Sequence, residues 1–367
     1  MRITLVISSL AAGGAERILS LMANHWNANG HKVSIVCLSN ELDTPFYPLT
    51  PDIKLMGLDL NRQSNGVVDA IMNNVHRISK IRQAIKKTAP NAVISFMDTT
   101  NVTAILATRC MNVPVIVSER LYPGNSEIGR VWKILRNMTY PLASAIVTQT
   151  KSGKHFFGKT IRSKACVIAN PLTEMNGSSN RPSDLPSPTL LAVGRLVYQK
   201  GYDILLRAFA ATRHHHQDWR LVILGKGPLK KQLEAMRDNL GLTDAVSFLG
   251  TRKDIKAYYQ HADALVLSSR YEGFPNVLLE GLAHGLPVVA TDCLSGPKEI
   301  LDQHKGGILV PCEDDTALAQ ALNTLMEDTQ LRREFAQQGP GVKKTYSIAN
   351  IMAQWDKLLT NLIEEKR

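Results

Sequence analysis

The chain has 367 residues, of which 44% are apolar and 20% are charged. This length and composition allow two domains with separate cores and exclude a disordered protein. No apolar run reaches the roughly 18 residues that a membrane-spanning helix needs, so we expect any membrane contact to be peripheral.

The formal net charge of +11 is unevenly distributed along the chain. Residues 1–186 contain 21 Lys and Arg against 11 Asp and Glu, whereas residues 187–367 contain 22 against 21. A basic first half favours an anionic partner: a phospholipid surface, a diphosphate-bearing substrate or nucleic acid. The alternative is a solvated basic surface that only maintains solubility.

The five cysteines are scattered and form no C-x-x-C pair. This spacing argues against a disulfide framework or a structural zinc site and favours the reducing cytoplasm. We interpret the apolar residues 1–12 as a first buried strand rather than as a signal peptide.

The first half alternates short apolar runs with helical patterns. Strands are predicted at 3–7, 33–38, 92–96, 115–118 and 145–148, and helices at 15–29, 100–110 and 152–157. This alternation is typical of a parallel sheet covered by helices on both faces. We assign residues 1–172 to a first Rossmann-like domain.

A stretch rich in Pro, Ser, Asn and Gly then predicts a linker at 173–188. The alternation resumes with strands at 189–193, 221–224, 246–249, 264–267, 288–291 and 307–310, and with helices between them. We assign 189–345 to a second Rossmann-like domain. The fold class is therefore α/β with two doubly wound domains, and the ligand site is expected in the cleft between them.

The segment from Arg270 to Glu280, R-Y-E-G-F-P-N-V-L-L-E, places a Gly-Phe-Pro-Asn turn at the start of a predicted helix. The first N–H groups of a helix have no partner within the helix. We expect those of Phe274, Asn276 and Val277 to point outward, where a phosphate can accept their hydrogen bonds.

Two carboxylates frame this turn. Glu272 precedes the helix and Glu280 lies about one turn inside it, where it could accept hydrogen bonds from both hydroxyls of a ribose. The alternative is that both acids are simply favoured near a helix N-terminus by the helix dipole.

Two cations and two glycine-rich turns follow other predicted strands. Arg195 and Lys200 are expected to neutralise a diphosphate, although surface cations are common. The turn at Gly225 allows close backbone approach of a ligand, or is merely a tight turn. The turn at Gly13 and Gly14 can accommodate an anion, or is a loop that merely needs a positive φ. Because no D-x-D motif or metal spacing is present, we expect no metal cofactor.

These motifs occur in the order G-G-A-E-R, G-R-L with K-G, G-K-G-P, and E-G-F-P-N-V-L-L-E with G-L-P-V-V-A-T. Together they resemble the retaining GT-B glycosyltransferases of family 4, over nearly the whole chain. The resemblance implies transfer of a sugar from a nucleoside diphosphate donor, with UDP expected, and retention at the anomeric carbon. It also implies that the last helix, within 346–367, packs back on the first domain.

The resemblance assigns roles to individual residues. The implied catalytic residues are Glu272, Arg195 and Lys200, the donor-binding residues are Gly14, Gly225, Gly273, Phe274, Asn276, Val277 and Glu280, and the acceptor or reacting region contains Gly13, Asp98, Thr99, Glu119 and Arg120. Many relatives have Glu-His where this chain has Glu119-Arg120. An imidazole role is therefore not expected, and Arg120 is expected to contact the diphosphate or the acceptor.

The segments Ser95 to Asn101 and Ser118-Glu119 are similar to those of bacterial members that extend lipid-linked oligosaccharides. This implies a hexose or N-acetylhexosamine donor, a polyprenyl-diphosphate-linked glycan acceptor and a cytoplasmic enzyme on the inner face of the plasma membrane. Residues 67–87 have one apolar stripe with flanking Lys and Arg, which would suit anionic lipid headgroups. An ordinary amphipathic helix is the alternative.

Other functions stay open at this point. A sugar-nucleotide epimerase or a phosphorylase can have the same fold. A basic nucleic-acid-binding protein is a weaker alternative, because the positive charge lacks interleaved aromatic residues and a reading module.

Overall fold

The computed structural model describes residues 1–40, 44–60, 65–125, 128–173, 175, 177, 179–252 and 254–366. The chain forms two compact units. The first consists of Met1–Pro171 with Ile351–Arg367, and the second of Leu172–Asn350. Residues 174, 176 and 178 of the predicted linker lie outside the described residues.

The first unit has a parallel sheet of seven strands, as far as the described residues show, in the order β3-β2-β1-β4-β5-β6-β7. The strands are β1 Arg2–Ile7, β2 Lys32–Cys37, β3 Lys54–Gly57, β4 Ala92–Phe96, β5 Val115–Ser118, β6 Ala145–Thr148 and β7 Ala165–Val167. The helices are α1 Gly14–Ala28, α2 Val67–Thr88, α3 Asp98–Thr108, α4 Arg130–Thr139, α5 Lys151–Phe156 and α6 Lys159–Arg162. The short edge strands β3 and β7 were missed from the sequence, because three or four residues show little periodicity.

The second unit has a parallel six-stranded sheet in the order β10-β9-β8-β11-β12-β13. Its strands are β8 Thr189–Val193, β9 Arg220–Leu224, β10 Val246–Gly250, β11 Ala264–Leu267, β12 Val288–Thr291 and β13 Gly307–Val310. Its helices are α7 Tyr202–Thr212, α8 Lys230–Asn239, α9 Ile255–His261, α10 Asn276–Ala283, α11 Pro297–His304, α12 Asp315–Glu327, α13 Thr329–Gln338 and α14 Val342–Thr345. The prediction of two Rossmann-like α/β domains is confirmed.

The strand order reverses direction beside the first strand of each unit. In the second unit, β8 lies between β9 and β11, so the connections after β8 and β11 leave the sheet in opposite directions. Such a switch point leaves room for a ligand at the carboxyl ends of the strands. The fold therefore places the loops after β8 and β11 next to one another.

The apolar stripe that the sequence predicts on helix α2 is buried only in the second half of the helix. Ile81 and Ile85 are buried, but Val68, Ile71 and Val75 are 72%, 60% and 62% exposed. A helix of 22 residues is about 33 Å long, whereas strands of four to six residues span only about 13–20 Å. The first half of α2 therefore extends past the sheet and leaves its apolar side exposed.

The last helix, α15 Ile348–Glu364, carries the end of the chain back to the first unit. The rings of Trp26 and Trp355 meet edge to face with centroids 6.3 Å apart, and Trp26 Nε1 donates to Asp356 Oδ1 at 2.7 Å. Both indoles are fully buried. The apolar face of α15 thus packs on α1.

Within the described part of the chain, no helix combines the length and the apolar character needed to cross a bilayer.

Replacing Trp355 by alanine should remove about 3–5 kcal/mol of unfolding free energy, because the buried indole would leave a cavity against Trp26. Urea unfolding followed by circular dichroism measures this. Lys357→Ala, on an exposed side of the same helix, should change the free energy by less than about 0.5 kcal/mol. Equal effects of the two substitutions would contradict the packing described for α15.

Candidate active site

Two loops meet at the switch point of the second sheet. The loop after β8 carries Lys200 near its end, and the loop after β11 begins at Ser268. Ser268 Oγ donates to the carbonyl of Lys200 at 2.9 Å, and Gln199 Nε2 donates to the carbonyl of Tyr271, also at 2.9 Å. The two loops are thus joined into one platform by hydrogen bonds that span about 70 residues of sequence.

The platform brings Lys200 and Glu272 into direct contact. Lys200 Nζ lies 2.6 Å from Glu272 Oε1, with side-chain exposures of 15% and 7%. Ser269 Oγ donates to the same carboxylate oxygen at 2.6 Å. A largely buried pair of this kind is held rigidly, because loss of either partner would leave an uncompensated charge. The sequence predicted both residues but not their pairing.

The turn at the start of α10 has fewer open N–H groups than the sequence predicts. The N–H of Asn276 donates to the carbonyl of Phe274 at 3.0 Å, across Pro275 with φ −82° and ψ 79°. This is an inverse γ-turn, which closes on its own N–H group. The prediction that the N–H of Asn276 is open is therefore wrong.

Open donors remain on either side of that turn. Among the described residues, the N–H groups of Gly273, Phe274 and Val277 have no hydrogen-bond partner. Ser295 Oγ donates to the carbonyl of Gly273 at 2.9 Å and fixes the loop. The helix start thus keeps several fixed N–H donors that an anion can accept.

Glu280 lies on α10 with 4% of its surface exposed. Tyr259 donates its hydroxyl proton to Glu280 Oε2 at 2.9 Å, and the ring of His284 stacks on Tyr259 with centroids 5.6 Å apart. The carboxylate is therefore held in one orientation by its neighbours. A carboxylate has further acceptor positions, so a ligand hydroxyl can still bind to it.

Arg195 is the exposed cation of this site. In the described part of the chain its side chain has no hydrogen bond or ion pair. It lies two residues after the end of β8, at the same edge of the sheet as Lys200. Its guanidinium is therefore free to bind an anion.

Two glycines after β9 allow the loop that follows β9 to pack closely on the loop after β8. A Cβ on Gly225, at φ +148°, would lie 1.9 Å from the carbonyl oxygen of Gly194. A Cβ on Gly227 would lie 2.3 Å from the carbonyl oxygen of Leu196. The sequence left a ligand or a tight turn open for this motif, and the structure adds a third reason: close approach between neighbouring strand ends.

Arg270 organises this site, although the sequence did not predict a role for it. Its guanidinium makes two hydrogen bonds to Asp203, at 2.9 and 2.7 Å, and one to Glu313 at 2.7 Å. It also lies 4.0 Å from the ring centroid of Tyr198. These contacts raise the pKa of Arg270, chiefly through Asp203. Its position at the start of the turn motif is the only local feature of the sequence that indicates a role for Arg270. Its partners Asp203 and Glu313 are 67 and 43 residues away, so no local pattern predicts these contacts.

Apart from Gly13, the predicted acceptor residues follow β4 and β5 in the first unit. Glu119 is 1% exposed and accepts a hydrogen bond of 2.5 Å from the Tyr140 hydroxyl. Burial, together with the Asp98 carboxylate, raises the pKa of Glu119 well above its usual range. Asp98 is also buried, whereas Thr99 is half-buried at the start of α3. Glu119 is therefore a buried acid whose neutral form is favoured.

Arg120 is also engaged inside the first unit. Its Nη1 donates to Asn170 Oδ1 at 2.8 Å, and its guanidinium lies 4.0 Å over the ring of Phe96. Burial lowers the pKa of Arg120 to about 9. A direct contact of Arg120 with a diphosphate or an acceptor stays a prediction.

Gly13 and Gly14 precede and begin α1. Gly13 has φ −162°, which any residue adopts, and neither glycine has a positive φ. The alternative that this turn merely needs a positive φ is therefore wrong. Gly14 is exposed, so its backbone is open to a ligand.

Comparisons with known proteins match both units. The family model described as "Glycosyl transferases group 1" matches residues 178–342, and the "Glycosyl transferase 4-like domain" matches residues 13–162. An undecaprenol-diphosphate-glycan alpha-1,4-N-acetyl-D-galactosaminyltransferase of Campylobacter jejuni is 29% identical over 363 residues, covering 99% of each chain.

Solved structures share the fold over the whole chain. Sucrose-phosphate synthase from Thermosynechococcus elongatus has a TM-score of 0.84 at 17% identity and covers 100% of both chains. Anabaena HepE, solved in complex with UDP, has a TM-score of 0.79 at 19% identity and covers 98% of this chain and 100% of its own. The family models that match the two units identify the chain as a glycosyltransferase, and the solved structures show that its fold is GT-B.

Proposed function

We propose that this enzyme transfers a hexose or an N-acetylhexosamine from a UDP-sugar to a polyprenyl-diphosphate-linked glycan, with retention and without a metal. The observation that carries the proposal is the Lys200–Glu272 pair beside the open N–H groups of Gly273, Phe274 and Val277. A buried ion pair next to fixed backbone donors suits a diphosphate leaving group and the sugar attached to it.

The nucleotide binds to the second unit in this proposal. The donor diphosphate accepts hydrogen bonds from the start of α10 and lies against Arg195 and Lys200. Glu280, held by Tyr259, accepts hydrogen bonds from the ribose hydroxyls. The UDP complex of HepE, which has the same fold, supports UDP as the nucleotide.

Charge stabilisation is the main catalytic effect in this mechanism. The acceptor hydroxyl attacks the anomeric carbon on the face that the diphosphate leaves, and the departing phosphate takes the hydroxyl proton. Arg195, Lys200 and the N–H groups of the turn stabilise the negative charge that develops on the diphosphate. Glu272 orients Lys200 and the sugar, and it is the nucleophile if a covalent intermediate forms. No metal is needed, because cations and N–H donors already neutralise the diphosphate.

The acceptor binds to the basic first unit. The Campylobacter jejuni relative acts, by its name, on an undecaprenol-diphosphate glycan, and it aligns over 99% of this chain. Such an acceptor has an anionic diphosphate and a membrane-embedded tail. Both features agree with the excess of Lys and Arg in residues 1–186.

The first unit also has two exposed apolar helix faces that suit a membrane surface. On α4, Val131, Ile134 and Met138 are 68%, 59% and 67% exposed and share one side of the helix. Helix α3 contacts both α2 and α4, so all three helices cover one face of the sheet. We place the enzyme on the cytoplasmic face of the plasma membrane, through α4 and the first half of α2.

Lys200→Ala should lower kcat about a hundredfold to a thousandfold, because a cation that stabilises the leaving diphosphate is removed and Glu272 is left unpaired. Turnover of a panel of UDP-sugars with a polyprenyl-diphosphate glycan, followed by mass spectrometry, measures it. Lys231→Ala, which removes an exposed lysine of the same unit, should leave kcat unchanged. Full activity of Lys200→Ala would exclude the proposed leaving-group role.

The ribose contact of Glu280 is testable with 2′-deoxy-UDP. The wild type should bind this analogue about tenfold more weakly than UDP, because a hydrogen bond to a carboxylate is lost. Glu280→Ala should bind the two nucleotides equally, whereas Tyr259→Phe keeps the carboxylate and should keep the difference. Isothermal titration calorimetry measures the six affinities, for three proteins with two nucleotides each. A difference that persists in Glu280→Ala would place the ribose elsewhere.

Membrane binding should depend on the exposed face of α4. The triple substitution Val131→Ser, Ile134→Ser and Met138→Ser should weaken binding to phosphatidylglycerol vesicles about tenfold or more, because apolar burial in the lipid is lost. Sedimentation of the enzyme with the vesicles measures this binding. Leu240→Ser, which changes an exposed leucine of the second unit, should have no effect. Unchanged binding of the triple variant would exclude α4 as the contact.

A further inference from the structure

Two cysteines follow neighbouring strands of the second sheet. Strands β12 and β13 are parallel, with Thr291 opposite Val310. The ladder continues for one more hydrogen bond, from the N–H of Asp292 to the carbonyl of Val310 at 2.7 Å. Continuing the same register places Cys293 opposite Cys312. Neighbouring strands are about 4.8 Å apart, which lies within the Cα separation of about 4.4–6.8 Å that a disulfide allows.

The two thiols differ in exposure and in chemistry. Cys293 is 3% exposed, whereas Cys312 is half-buried and reachable from solvent. The interaction between the two neighbouring thiols, together with burial, raises the pKa of Cys293, and the same interaction lowers the pKa of Cys312. Thiolates are the reactive form of cysteine. Cys312 is thus the thiol that an oxidant reaches first, and Cys293 is positioned to react with it.

Both sulfur atoms contact the segments that carry the proposed donor site. Cys312 Sγ lies 3.7 Å from the carbonyl oxygen of Ser269, whose hydroxyl binds Glu272. Cys293 Sγ lies 3.9 Å from the carbonyl oxygen of Ser295, whose hydroxyl binds the Gly273 carbonyl. A bond between the two sulfurs would change both contacts.

We propose that Cys293 and Cys312 form a reversible disulfide when the enzyme meets a peroxide, and that this bond lowers sugar transfer by displacing Glu272 and Gly273. The Cys312 thiolate attacks one peroxide oxygen, the O–O bond breaks, and a sulfenic acid and water form after protonation. The Cys293 thiol then attacks the sulfenic sulfur and releases a second water. Both sulfurs are oxidised and both peroxide oxygens are reduced. A dithiol then reduces the disulfide by exchange and is itself oxidised to a disulfide.

The bond itself is measured independently of activity. The purified full-length enzyme is treated with stoichiometric hydrogen peroxide, digested with trypsin without reduction, and examined by mass spectrometry. We expect a cross-linked pair of peptides, residues 271–298 with residues 306–332, that separates on reduction. Cys312→Ser should lack it, and Cys110→Ser, which removes an exposed cysteine of the first unit, should keep it. Absence of this cross-link in the folded wild type would overturn the proposal.

The effect on transfer rests on the proposed function and is measured separately. Peroxide should lower turnover of the wild type about tenfold to a hundredfold, as expected for a displaced reacting group, and dithiothreitol should restore it. Cys312→Ser and Cys293→Ser should keep their turnover under peroxide, and Cys110→Ser should lose it like the wild type. A cross-linked enzyme with full turnover would overturn the regulatory effect. Absence of turnover in the reduced wild type would instead count against the proposed function.

Discussion

The reversal of strand order at β8 in the second unit is the constraint on which the candidate site depends. It brings the loops after β8 and β11 together, although Lys200 and Glu272 are 72 residues apart. The short ion pair between them forms because the two loops are also tied through their backbones. Without that strand order, a lysine and a glutamate on separate loops would be ordinary surface charges of little energetic value.

The surrounding residues give this platform its rigidity. Arg270 joins α7, the Tyr198 ring and the segment after β13 through two carboxylates and a stacking contact. Glycines after β9 allow neighbouring loops to approach within distances that no Cβ would permit. Electrostatic stabilisation of a leaving group requires donors that do not reorient during the reaction. The rigidity of the platform is therefore part of the proposed catalysis.

The first unit combines a buried polar interior with exposed apolar helices. Glu119 and Arg120 are engaged by their own unit, beneath the carboxyl edge of its sheet. By contrast, α4 and the first half of α2 keep large apolar side chains in solvent. Exposed apolar faces of this extent are typical of surfaces that bind a partner or a membrane. The basic charge of the same half agrees with an anionic membrane and an anionic acceptor.

The sequence by itself determined what depends on local pattern: the alternation of strands and helices, the two domains, the Gly-Phe-Pro-Asn turn and most of the candidate site residues. Each of these leaves a signal within a few residues, through periodicity or turn chemistry. Only the tertiary structure decided the Lys200–Glu272 pair, the role of Arg270 and the strand register that brings Cys293 next to Cys312. It also showed that the N–H of Asn276 is closed within its own turn. These contacts depend on strand order, on register and on the backbone angles of one proline, and no local pattern encodes which distant segments become neighbours.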